Sequence, residues 1–153
     1  MGIFIITILG LFLRLLFINK AEGLWNDEYI SWFIASQPLT NGFIEGIKSQ
    51  CHMPFYYLYL KFFMTIFGQS DTILRLTSVV AGTLSIPVMY FAGMENSKKT
   101  AILAGTFTAL SSFLIYYSQE VRIYSVLFLF SALSLLFLSL IHISEPTRHA
   151  QIS

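Results

Sequence analysis

Four long apolar runs, residues 2–18, 73–94, 100–117 and 123–141, constrain this chain more than anything else in it. A helix needs roughly 17–25 apolar residues to cross a bilayer, and only helices or closed barrels satisfy every backbone polar group there. The expected fold is therefore all-α, a polytopic membrane bundle of about four spanning helices. Only 11% of the residues are charged, while 56% are hydrophobic and 16% aromatic. Soluble domains carry about 25% charged residues, so lipid is the solvent that suits this composition. A net charge of +1 with no basic patch gives nucleic acid nothing to bind. Cys51 is the single cysteine, so no internal disulfide can form.

The first run lacks a basic leader and a small-residue cleavage site, and it reads as a retained helix rather than a signal peptide. Arg14, near its end, is expected to snorkel toward the headgroups. Pro87 is expected to kink the second run without ending it. Residues 54–68 (PFYYLYLKFFMTIFG) are too short for an easy crossing, since a helix of that length reaches only about 22 Å. Tyr57, Lys61, Thr65 and Gly68 share one helical face. This stretch is therefore expected to lie along the interface, with Lys61 and the tyrosines at headgroup level. The polar connection 19–53 is long for a compact bundle, and such connections are usually functional. Residues 144–153 break with what precedes them. The string LIHISEPTR resembles translated sequencing-adapter read-through. The division expected is thus 1–143 as the natural membrane part and 144–153 as a non-native polar tail, with the natural protein continuing differently past about residue 140.

Three places could carry chemistry. Asp27 and Glu28 lie just beyond the first run, among Trp25, Tyr29 and Trp32. A carboxylate there can act as a general base or hold a cation. The plainer reading is a helix start, with Asn26 as N-cap and the two acids in the first turn. Residues 117–125 (YSQEVRIYS) place Gln119, Glu120 and Arg122 between two runs, and ionisable groups so close to the bilayer are costly and tend to be functional. His52, ahead of Pro54, is the third, as a metal ligand or as a structural histidine.

In this order the segments resemble the GT-C class of membrane glycosyltransferases. The branch is that of the dolichyl-phosphate-mannose–protein mannosyltransferases and the bacterial lipid A aminoarabinose transferases. The resemblance rests on the Asp27-Glu28 pair, the helix Pro54 to Tyr59 ending in Phe67-Gly68, Leu74-Arg75-Leu76, and Ser118-Gln119-Glu120-x-Arg122-x-Tyr124. His52-Met53-Pro54 departs from it where many relatives have two consecutive prolines. The resemblance implies transfer of a sugar from a polyprenyl-phosphate donor to an acceptor on the extracytoplasmic face, in a multi-pass protein of the bacterial inner membrane. Asp27 is then the base, with Glu28 assisting or positioning it. Arg122, Glu120, Gln119 and Tyr124 are the candidates for binding the donor phosphate. A divalent metal ion is an open expectation, with Glu120 and His52 as its candidate ligands.

Topology bears on this. If residues 54–68 do not cross, two spans separate the Asp27 loop from the Arg122 loop, and both face one side. Lys98 and Lys99 then fall on the opposite, cytoplasmic side, as positive charge tends to. The rival reading is a small non-catalytic polytopic protein, a transporter piece or an assembly subunit.

Overall fold

The structure is a computed structural model that describes residues 2–16, 18–19, 23–50 and 53–149, with side chains described as far as residue 141. Cys51 and His52 lie outside the described residues, as does Lys20. Every regular element among those described is helical: α1 (Gly2–Leu15), α2 (Asn26–Ser36), α3 (Asn41–Gln50), α4 (Pro54–Phe67), α5 (Asp71–Met94), α6 (Lys98–Leu110), α7 (Ser112–Ser118) and α8 (Tyr124–His149). The chain is an all-α membrane protein.

Among the described residues, two helices are long and apolar enough to cross a bilayer on their own, α5 and the Tyr124–Ile141 part of α8. The run expected over 100–117 is broken. It forms α6 and α7, which meet at 53° and can serve together as one bent span. The break falls at Ser111, whose hydroxyl caps α7 by accepting from the Leu114 amide. α1 has 14 residues and is about 21 Å long. The expected count of about four spans thus becomes two continuous helices, one bent pair and a short apolar helix. α5 begins at a Ser70 cap and continues across Pro87. It packs against α1, α4, α6, α7 and α8 and so forms the centre of the bundle. Gly82 lets α7 come close: a Cβ there would sit 2.1 Å from the Ser118 hydroxyl.

Two expectations about the first loop change. α4 turns Tyr57 and Lys61 of its polar face inward rather than to the headgroups, while Thr65 and Gly68 stay exposed. Tyr56, Tyr57, Leu60 and Met64 are buried, and Phe55, Leu58, Phe62 and Ile66 are exposed. Lys61 reaches the end of α2, where its ammonium donates to the carbonyls of Ala35 (3.0 Å) and Gln37 (2.7 Å). A lysine at a helix C-terminus satisfies orphan carbonyls and meets the negative end of the dipole. Gly68 ends α4 at φ +96°, a conformation that favours glycine. Tyr59 ties α4 to α5 by donating to the Thr77 carbonyl (2.9 Å). Burial pushes its phenol up to about 12, so it remains a donor at neutral pH.

Arg14 also departs from expectation. It is fully buried instead of reaching toward the headgroups, and its guanidinium is enclosed by α1, α6 and α7. α8 runs on to His149, past the expected change of character at residue 143.

Candidate active site

Adjacent residues on a helix do not face the same way, and this separates the two acids of α2. Glu28 turns inward and is 1% exposed. Its carboxylate accepts from Arg75 Nε (3.2 Å) and Nη2 (2.9 Å) and from the Val121 amide (2.9 Å). It also accepts from the Trp25 amide at 3.4 Å, the reach-back bond of a capping box. The cap of α2 is Trp25, one residue before the expected Asn26. Arg75 further donates to the carbonyls of Ile18 (3.2 Å) and Gly23 (2.9 Å). One buried ion pair therefore joins the end of the first helix, the start of α2, the start of α5 and the Gln119–Arg122 loop.

Asp27 turns outward and is about one-third exposed. Its carboxylate accepts from Arg122 Nη1. The Arg122 guanidinium lies 5.1 Å from the Tyr124 ring and 5.8 Å from that of Trp25, both within cation–π range. A carboxylate, a guanidinium and two aromatic rings thus meet at one partly open point. Beside it lies an apolar hollow of ≈ 320 Å³ lined by Met53, Phe55, Tyr56, Ile123, Val126, Leu127 and Phe130.

The other residues singled out in the sequence lie close by but face elsewhere. Gln119 sends its amide into the end of α1, donating to Leu13 (3.4 Å), Arg14 (3.2 Å) and Leu16 (2.5 Å) carbonyls. Glu120 is buried. Among the described residues, no three His, Cys, Asp or Glu side chains come together as a metal would need. Asp27 and Glu28 each have an arginine as partner, which leaves Glu120 as the candidate ligand among the described residues. His52, the other candidate ligand, lies outside the described residues.

Arg75 was not among the candidates read from the sequence, where it entered only through the Leu74-Arg75-Leu76 motif. A signal was present, however. An arginine at the start of a spanning helix is costly to bury alone, which calls for a carboxylate partner, either Asp71 one turn before it or one of the Asp27-Glu28 pair.

Residues 51–150 match the family described as dolichyl-phosphate-mannose-protein mannosyltransferase. The chain belongs to this family. The match covers Arg75 and the whole Gln119–Tyr124 loop, while Asp27 and Glu28 precede it. Membership bears out the resemblance to the GT-C class and assigns the chain to the membrane glycosyltransferases in general. No curated protein and no solved structure matches the chain.

Proposed function

We propose that this chain carries the reaction centre of a membrane enzyme that transfers a sugar from a polyprenyl-phosphate carrier to an acceptor hydroxyl on the extracytoplasmic face of a bacterial inner membrane. The observation that carries the reading is the pairing of Asp27 with Arg122. Residues from two loops, far apart in sequence, place a proton acceptor and a phosphate-binding fork at one point. In the reaction the acceptor oxygen bonds to the anomeric carbon as the bond from that carbon to the phosphate oxygen breaks. The bonding electrons leave with the phosphate, and the acceptor proton goes to Asp27. Arg122 meets the charge growing on the phosphate, for which its planar fork is suited. Tyr124 and Trp25 hold that fork in place. The apolar hollow beside Ile123 suits the first part of the prenyl chain.

Glu28 and Gln119 act in this reading as positioning groups, since their polar atoms are turned toward Arg75 and α1, and the buried Glu120 is grouped with them. The Asp27–Arg122 pair also sets an order of events. A donor phosphate that takes Arg122 displaces Asp27 and frees the base only once the donor is in place.

The test uses the full-length enzyme in membranes with a labelled polyprenyl-phosphate sugar. Asp27→Asn lowers transfer by about 10²–10⁴-fold, the usual loss with a general base. It also tightens binding of polyprenyl phosphate, because Arg122 no longer has a carboxylate to give up. An Asp27→Asn enzyme with wild-type turnover overturns the assignment of the base. Arg122→Lys weakens donor binding, because a point charge replaces the fork. Assays with and without a chelator show whether a divalent ion takes part.

A further inference from the structure

We propose that Arg14, remote from the reacting groups, is a positioning residue that sets where Arg122 stands. The proposal rests on the glycosyl-transfer reading above for what Arg122 does. The evidence is a reciprocal clasp between the end of α1 and the bent span. Arg14 is 0% exposed, and burying a guanidinium is costly unless its donors are used. Its Nη1 donates to the carbonyls of Gly10 (3.0 Å) and Ala109 (3.3 Å), and its Nη2 to that of Thr108 (3.0 Å). Its Nε donates to the Ser118 hydroxyl (3.2 Å). Thr108 and Ala109 belong to the last turn of α6, where carbonyls lose their helical partners. Arg14 therefore supplies donors and a positive charge at the point where the span bends. Ser118 passes the hold onward: it donates to the Leu114 carbonyl (2.6 Å) and lies 3.4 Å from the Ser125 hydroxyl of α8.

The second half of the clasp runs the other way. Gln119 of the loop donates to the carbonyls that end α1, including that of Arg14 itself. α1 thus completes the end of α6, and the residue after α7 completes the end of α1. Gln119 lies three residues before Arg122. Between them the Val121 amide is fixed on Glu28. The loop is pinned at two points, and Arg14 governs the one that the Glu28–Arg75 pair does not reach. Lysine cannot replace it, because one ammonium cannot span three helices as a fork does.

The experiment compares full-length wild type with Arg14→Lys, and with Ser118→Ala, which removes the Nε acceptor and the Ser118 links to Leu114 and Ser125 but leaves the three carbonyl partners of Arg14 in place. Hydrogen exchange should rise about tenfold in Arg14→Lys across residues 118–123, and stay at the wild-type level across α4, as local opening predicts. The donor KM should rise about tenfold while kcat stays within about threefold, a coupling of ordinary size. Ser118→Ala should show the same two changes at about threefold, and it decides the matter if Arg14→Lys does not accumulate. Unchanged exchange over 118–123 overturns the clasp. A fall in kcat at constant donor KM overturns the positioning role. If the wild type itself transfers no sugar from any polyprenyl phosphate, the reading of the reaction falls, and the exchange result still decides the clasp.

Discussion

At the residue scale the informative contrast is between two neighbours. Asp27 and Glu28 look like a team in the sequence, and a motif of adjacent acids invites a shared role. The helix sends them in different directions, one toward the partly open Arg122 and the other toward the buried Arg75. Four donors converge on Glu28, which leaves it little capacity to take a proton from a substrate. Stability should therefore separate the two. Glu28→Ala removes the carboxylate that balances the buried Arg75 charge and the acceptor of the Val121 amide, and removing one partner of a buried pair costs about 3–5 kcal/mol. Asp27→Ala breaks a partly exposed pair worth about 1 kcal/mol or less. Thermal unfolding of the full-length protein in detergent checks this: Glu28→Ala should melt far below Asp27→Ala. Equal melting points would mean that Glu28 is not the structural member. The candidate residues were legible in the sequence, but their division of labour was not. It depends on which side of α2 meets α5, and that is a tertiary fact.

At the element scale, hydrophobic run length located α5 and the apolar part of α8 well, because one long apolar stretch admits few alternatives. It failed where a break is repaired from elsewhere. Nothing local to residues 100–117 requires an interruption at Ser111, since the donors that make it tolerable come from Arg14 on α1. The inward face of α4 was hidden for the same reason. Lys61 and the tyrosines look amphipathic, and whether headgroups or α2 receive them depends on packing. Within the polar connection the capping pattern points to the helix start at α2, while α3 has no such local signal. The end of α8 gives a further prediction. Its apolar part, Tyr124–Ile141, has 18 residues, or about 27 Å, close to the roughly 30 Å hydrocarbon core. The turns beyond add polar residues that the bilayer does not need. Removing 144–153 should leave insertion unchanged, read as resistance to alkaline extraction. Loss of insertion would make those residues part of the span.

At the scale of the whole molecule, the direct contact between Asp27 and Arg122 requires their loops to lie on one side. α5 and the bent α6–α7 pair are long and apolar enough to serve as two crossings between those loops. That arrangement depends on α4 not crossing. With 14 residues it is about 21 Å long, and its outward apolar face of Phe55, Leu58, Phe62 and Ile66 suits the interface. The turn from α5 to α6, with Asn96 exposed and Lys98 and Lys99 following, must then lie on the opposite side. Positive charge there agrees with a cytoplasmic location. Impermeant maleimide labelling in a Cys51→Ser background tests the orientation, using one new thiol at a time. Leu39→Cys, at an exposed position between α2 and α3, should label in intact cells. Asn96→Cys should label only after permeabilisation. Both residues are exposed, so neither depends on burial for its signal. The reverse pattern would place the Asp27–Arg122 site in the cytoplasm and remove the extracytoplasmic acceptor from the proposed reaction. Labelling of both from outside would mean that α4 and α5 either both cross or both do not, and the arrangement of two spans between the loops would not survive.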